Sequence, residues 1–211
     1  MHTRTILFDL DGTLINTNEL IIASFKHTFE KFNLSFSDEE IIEFNGPPLW
    51  ETFEKIDPER AEEMVATYRA HNYEMHDHYV TAFPKVKETL ETLQKKNIKM
   101  GVVTTKMAPG VQMGLDKTGI GDFFDVVITL DDVVHPKPHP EPVLKAMEKL
   151  DAESSSTIMV GDNHHDIEAG HNAGVRTAGV SWSQKGKERL MMHKPTYMLD
   201  CMTDLLEIVG D

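Results

Sequence analysis

Apolar residues along this chain gather in short unbroken runs: Thr5-Ile6-Leu7-Phe8, then residues 98–103, 126–129, 157–160 and 175–180. Runs of this length without polar alternation suit strands buried on both faces. Between them, at residues 85–96, 109–118, 142–150 and 167–173, apolar side chains return at helical spacing, as on a helix with one buried face. Strand and helix therefore alternate. The pattern predicts an α/β fold, a doubly wound, mostly parallel, Rossmann-like sheet with helices on both faces.

Residues 16–81 depart from that rhythm. No convincing strand occurs there, whereas helix signals do. Ser37-Asp38-Glu39-Glu40 has the form of a capping box ahead of Ile41 and Ile42, and Asp57-Pro58 reads as an N-cap followed by proline at the first helical position. Over residues 19–32, Leu20, Ile21, Ala23, Phe25, Phe29 and Phe32 fall near one helical face. The expected organisation is a catalytic core of residues 1–15 and 82–211, with a helical cap of residues 16–81 inserted after the first strand. Entering right behind that strand, the cap should overhang whatever the strand end carries, as a lid does. A helical appendage that only adds core is the other reading.

Composition narrows the class. At 211 residues the chain has room for a substantial core. Acids outnumber bases 35 to 21, for a formal net charge of -14, which argues against a nucleic-acid or anionic-membrane partner. No stretch reaches the roughly 18 apolar residues of a membrane helix, and the single Cys201 has no internal disulfide partner. A cytoplasmic protein without a targeting peptide is expected.

The first apolar run leads directly into Asp9-Leu10-Asp11-Gly12-Thr13-Leu14. Two carboxylates one residue apart, ahead of a glycine that breaks the strand, can converge at the C-terminal lip of a parallel sheet, where such folds bind ligands. Crowded there, they need a cation or a shared proton. The same residues also make an ordinary surface turn. Later strand ends bear on the choice. The second ends in Val103-Thr104-Thr105-Lys106, a hydroxyl and an ammonium suited to phosphate oxygens. The third leads to His135-Pro136-Lys137-Pro138-His139-Pro140-Glu141, whose prolines stiffen the approach of Lys137. The fourth ends in Gly161-Asp162-Asn163-His164-His165-Asp166, and Asp162 can complete with Asp9 and Asp11 the hard oxygen site that Mg2+ prefers. Singly, Thr104 reads as a strand terminus, Lys137 as a solvated loop lysine and Asp162 as a helix N-cap. Four such elements at successive strand ends are harder to dismiss.

In this order the motifs resemble the haloacid dehalogenase-like phosphohydrolase superfamily: Asp9-Leu10-Asp11-Gly12-Thr13, Thr104, Lys137-Pro138-His139-Pro140-Glu141 and residues 161–166, with residues 16–81 where that family carries a cap. The resemblance covers essentially the whole chain. It implies Asp9 as the nucleophile, Asp11 as general acid and base, and Mg2+ held by Asp9, Asp162 and the backbone carbonyl of Asp11. It also implies Thr104 and Lys137 on the transferring phosphoryl oxygens, with Lys137 restraining the nucleophile, and Asp166 orienting Lys137 or a metal-bound water.

The resemblance extends to substrate. Gly46-Pro47-Pro48-Leu49 matches the cap loop of phosphoglycolate-phosphatase-like members, whereas sugar-phosphate mutases carry arginine where Leu49 stands. Residues 11–20, 103–106 and 159–163 are most similar to pyrophosphatases of the superfamily, and next to phosphoglycolate phosphatases, from which Asn16 and Thr105 depart. Hydrolysis of inorganic pyrophosphate is the expected activity. A phosphatase for phosphoglycolate or another small monoester is the alternative; a non-catalytic phosphoryl-binding regulator is a remoter one, at odds with intact Asp9 and Asp11. Expected substrate contacts are Gly12, Asn16, Gly46, Thr105 and Lys106. Asn16 would lessen repulsion on the leaving group or else cap a helix, and Lys106 would hold the departing phosphate. Arg69, Lys55 and Trp50 are further cap candidates by chemistry. The expected partner is a small phosphorylated substrate, with no nucleic acid or membrane; a monomer is favoured. His71, His76 and His78, and likewise His135 and His139, have spacings that suit zinc, although the first group lacks a cysteine and prolines interrupt the second.

Overall fold

The computed structural model describes residues 3–210. Its elements begin with β1 (Thr5–Phe8), β2 (Ile15–Asn16), α1 (Asn18–Lys31), α2 (Asp38–Phe44), α3 (Leu49–Ile56), α4 (Ala61–Tyr79) and β3 (Thr81–Ala82). They continue through α5 (Val86–Lys95), β4 (Lys99–Val103), α6 (Ala108–Thr118), β5 (Val126–Ile128), α7 (Glu141–Leu150), β6 (Thr157–Gly161) and α8 (His164–Asn172). The chain closes with β7 (Arg176–Val180), α9 (Lys187–Met192), β8 (Tyr197–Leu199) and α10 (Asp204–Val209).

Six strands form one sheet in the order β5-β4-β1-β6-β7-β8, with every neighbouring pair parallel. The chain fills the sheet outward from β1 on one side, through β4 and β5, then returns to fill the other side. The C-terminal end of β1 therefore lies at the point where strand order reverses, the usual ligand crevice of such sheets. Both faces of β1 are covered because its side chains alternate. Ile6 and Phe8 join a cluster with Leu90, Val111 and Leu205, while Leu7 points the other way, into a cluster with Val143, Ala146 and Ala169. A third cluster, centred on Phe25, Phe29, Ile41, Phe53 and Met64, belongs to α1–α4 alone.

That helical layer leaves and rejoins the sheet through a two-stranded antiparallel ribbon, in which Ile15 pairs with Ala82 and Asn16 with Thr81. The capping box at Ser37 forms as the sequence indicates: Glu40 N donates to Ser37 Oγ at 3.3 Å, and Ser37 N donates to Glu40 Oε2 at 2.7 Å. The Asp57-Pro58 expectation needs correction. α4 starts at Ala61, and Asp57 instead closes the preceding turn, accepting from Arg60 N at 3.1 Å and Arg60 Nε at 2.8 Å. β8, α9 and α10 were not expected; they cover the β7 edge and bring the chain's final helix onto the first cluster. No described helix is long and apolar enough to cross a membrane.

Candidate active site at the strand ends

Backbone pairing carries β1 one residue further, Asp9 N donating to Val160 O at 2.8 Å, and the chain then turns sharply. Leu14 and Ile15 both donate back to Leu10 O. Gly12 takes φ +80°, and a Cβ there would stand 2.4 Å from Asp162 Oδ2, so a side chain is excluded by conformation and by space. Asp9 and Asp162 can both sit at this lip because Gly12 leaves room.

Lys137 binds the strand ends together. Its Nζ donates to Asp9 Oδ1 at 2.7 Å, Asp166 Oδ1 at 2.6 Å and Val103 O at 2.9 Å, which uses all three of its N–H donors. The loop that delivers it is pinned by Glu141, whose carboxylate accepts from Val134 N at 3.0 Å and His135 N at 2.9 Å. No donor of Lys137 is left free for a phosphoryl oxygen. The expected direct hydrogen bond is not available in this arrangement.

The start of α8 distributes its acids differently from the N-cap reading of Asp162. Asn163 is the cap, accepting from His165 N, while Asp166 Oδ2 accepts from Asn163 N at 3.0 Å. Asp162 is thus spared that duty. Its carboxylate is buried and takes no hydrogen bond from any described residue. Oxygens of Asp9, Asp162 and Asp166 lie within 4.8 Å of one another. Burial pushes the Asp9 carboxyl up to about 7 against the pull of Lys137. Burial, then the charges of Asp9 and Asp166, raise Asp162 well above the carboxylate range. Burial opposes charge on Lys137, yet Asp166 and Asp9 hold its pKa above the ordinary lysine value. Three carboxylates against one ammonium, one of them without a donor, make an environment that a hard divalent cation suits.

The acidic cluster holds two of the residues expected at the metal and adds a third carboxylate, while the expected role of Asp11 there rests on its backbone carbonyl. The side chains of Asp9 and Asp162 come together, Asp166 joins them, and the Asp11 carboxylate turns away to pair with Lys106, Nζ to Oδ1 2.8 Å. Thr104 is buried beside them; its Oγ1 accepts from Lys106 N at 3.2 Å, which leaves the hydroxyl proton for a ligand.

These groups line a cavity of about 140 Å3 that the helical layer closes from above. Phe25, Phe44 and Leu49 form its apolar wall, and α4 contributes Tyr68, Arg69, Asn72 and Tyr73. Thr105 and Gly46 meet at its rim, Thr105 Oγ1 donating to Gly46 O at 3.2 Å. The 43–46 turn is held onto the sheet by contacts that the sequence did not signal. Asn163 Nδ2 and Lys185 Nζ donate to Asn45 O at 3.1 and 2.6 Å, and Arg189 pairs with Glu43.

Four expected contacts fall elsewhere. Asn16 sits in the ribbon one residue before Thr17, the cap position of α1, and its Oδ1 accepts from Asn18 N at 3.2 Å. Trp50 does not line the cavity, and Lys55 lines a neighbouring groove. Gly12 acts behind the site, by making room for Asp162. The histidines whose spacing suits zinc do not form a metal-capable group among the described residues. His76 is buried with Nδ1 on Asp77 Oδ1, His71 stacks on His27, and His139 Nδ1 accepts from Glu141 N. The metal-capable group found is the aspartate cluster.

Known proteins resemble this chain along its length. The family model for haloacid dehalogenase-like hydrolases matches residues 6–180. A pyrophosphatase PpaX from Oceanobacillus iheyensis is 57% identical over 211 residues, 100% of this chain and 99% of that protein. A PpaX from Bacillus velezensis is 55% identical over 206 residues, 97% of this chain and 95% of the relative. Among solved structures, a Bacteroides fragilis protein described as a haloacid dehalogenase-like hydrolase superposes with TM-score 0.90 at 25% identity, over 97% of this chain and 100% of that one. One from Haemophilus somnus, described as a predicted phosphoglycolate phosphatase, superposes with TM-score 0.86 at 26% identity, over 100% and 99%. With the family model spanning most of its length and relatives above half identity along all of it, this chain belongs to the haloacid dehalogenase-like hydrolases.

Proposed function

We propose that this protein hydrolyses inorganic pyrophosphate in the cytoplasm, with Mg2+ bound, by carrying a phosphoryl group transiently on Asp9. The observation behind the reading is how Asp9 is held: it is buried, one oxygen is tied to Lys137, and no described donor reaches the other. An oxygen so fixed and uncovered is a positioned nucleophile.

Asp9 attacks phosphorus in line, and the bond to the leaving phosphate breaks with its electron pair on that phosphate. Asp11 gives the leaving oxygen a proton. It then takes one from the water whose oxygen displaces Asp9. Thr104 donates its hydroxyl proton to a phosphoryl oxygen, and Lys137 fixes Asp9 while adding positive charge beside it. Lys106, already on Asp11, is placed to receive the departing phosphate. Asp9, Asp162 and the backbone carbonyl of Asp11 would hold Mg2+, which would supply the charge that lets a carboxylate approach a phosphoryl anion.

Support for pyrophosphate as substrate comes from the PpaX relatives, 51–57% identical along nearly their whole length. The apolar wall of Phe25, Phe44 and Leu49 favours a second reading, a phosphatase for a small organic monoester. Phosphate release measured with magnesium on pyrophosphate, phosphoglycolate and glucose 6-phosphate separates the two; pyrophosphate is expected to lead, and a lead for phosphoglycolate would overturn the substrate. Asp9→Asn is expected to abolish turnover in a folded protein. Near-normal turnover would remove the nucleophile.

A further inference from the structure

Three strong cations line the cavity, and two of them are already paired. Lys137 holds Asp9 and Asp166; Lys106 holds Asp11. Arg69 makes no ion pair or side-chain hydrogen bond with any described residue, although it is half-buried and shares the cavity with four aspartates. Helix neighbours offer it nothing, since the positions three and four residues away are Val65, Ala66, Asn72 and Tyr73. Of the three strong cations on the cavity wall, the guanidinium of Arg69 is the one without a carboxylate partner among the described residues.

Its surroundings suit an anion. Tyr68, Arg69, Asn72 and Tyr73 present one polar strip of α4 to the cavity. Asn72 is buried, with Nδ2 donating to Ser24 Oγ at 3.3 Å. Burial, then the charge of Asp11, keep the Tyr68 phenol above its ordinary pKa, so its hydroxyl stays a donor. The fork of an arginine matches a phosphate or a carboxylate in two-point geometry.

We infer that Arg69 receives the anionic far end of the substrate and so selects phosphate compounds that carry a second negative group close to the phosphoryl being transferred. This rests on the reading of Asp9 as the phosphoryl site. For pyrophosphate the far end is the leaving phosphate, which Lys106 would meet near Asp11 and Arg69 would meet from α4; for a short monoester it is the tail carboxylate. The helical layer then discriminates by charge, while the Asp9 end does chemistry common to all its substrates.

The test compares Arg69→Met and Arg69→Lys with wild type on pyrophosphate, phosphoglycolate and phenyl phosphate, whose leaving group has no second charge. Loss of a charge-assisted pair predicts that Arg69→Met lowers kcat/KM on the charged-tail substrates at least about 10-fold more than on phenyl phosphate, with Arg69→Lys between. An equal fall on all three, or none, overturns the inference. If wild type cleaves phosphoglycolate and not pyrophosphate, the proposed substrate fails, but the phosphoglycolate to phenyl phosphate ratio still decides the role of Arg69. A binding readout stands apart from turnover: imidodiphosphate affinity by calorimetry is expected to fall about 10-fold or more in Arg69→Met, while inorganic phosphate affinity falls less. Equal falls would count against Arg69.

Discussion

Lys137 Nζ and Asp166 Oδ1 lie 2.6 Å apart with both side chains almost wholly buried, and the same ammonium reaches Asp9 at 2.7 Å. One cation thus keeps two interior carboxylates in place. Removing it leaves charges that water cannot reach.

Lys137→Met should therefore be costly even though methionine fits the stem. Breaking a buried pair from one side costs about 3–5 kcal/mol. Urea unfolding at pH 7 in chelator measures it, and added Mg2+ should restore part of the loss by replacing the missing positive charge. A variant as stable as wild type in chelator would mean that the three carboxylates do not depend on Lys137.

Asp162→Asn should behave in the opposite way. Without metal, the substitution relieves crowding at a carboxylate that has no donor, so stability in chelator should equal or exceed that of wild type. Wild type should gain about 2.7 kcal/mol when Mg2+ is 100-fold above its Kd, and Asp162→Asn should lose that gain. Thermal melts with and without Mg2+ read both effects.

Gly12→Ala should damage the same site from behind. At φ +80°, with the new Cβ 2.4 Å from Asp162 Oδ2, the turn and the carboxylate cannot both stay in place. A loss of about 1–3 kcal/mol is expected, together with weaker Mg2+ stabilisation. An intact Mg2+ response would show that Asp162 does not need the space.

Contacts at the 43–46 turn should differ in weight. Arg189 and Glu43 are both substantially exposed, so Arg189→Ala should change stability by less than about 1 kcal/mol. Lys185 is more enclosed, and donates to both Glu43 O and Asn45 O. Lys185→Ala should speed amide exchange across residues 43–47 and raise KM more than it lowers kcat. Unchanged exchange there would deny Lys185 a holding role.

Glu141 gives a pH dependence. The hydrogen bond from Lys145, then that from Val134 N, hold its carboxyl down at about 2 against an ordinary 4.5. A depressed acid contributes its full stability above the unfolded pKa and loses it as pH falls toward the folded one. The stability difference between wild type and Glu141→Gln should be constant above about pH 5 and shrink from there toward pH 2. Urea midpoints at pH 7, 5, 4 and 3 test the sign; a difference that widens on acidification would reverse it.

The central sheet was readable because β1, β4 and β6 are buried on both faces, which leaves unbroken apolar runs. The edge was not. β8 has three residues and α9 only six, and both are fixed by docking on β7 and not by any local periodicity. Asp57-Pro58 carried a real helix signal, but Asp57 used its oxygens on Arg60 and delayed the helix to Ala61. In the site, Asp9, Lys137 and Asp162 stood out because each follows a strand or a stiffened loop. That the Asp166 carboxylate joins the acidic cluster while the Asp11 carboxylate turns to Lys106 depends on where Lys137 and Lys106 reach. Those partners lie 29 and 95 residues away in the chain. The tie between Lys185 and Asn45 spans 140 residues and has no local pattern to betray it.

The two-stranded ribbon makes the helical layer a detachable unit in connectivity. Because Asn16 and Thr81 are paired neighbours, the chain departs and returns through one doorway. A segment spliced between those positions need only begin and end side by side to leave the strand order intact, although it would have to renew the ties that Asn163 and Lys185 make to Asn45. A graft joined at residues 16 and 81 would exchange the cavity wall that Phe25, Phe44 and Leu49 form while keeping the strand ends that carry Asp9 and Asp162.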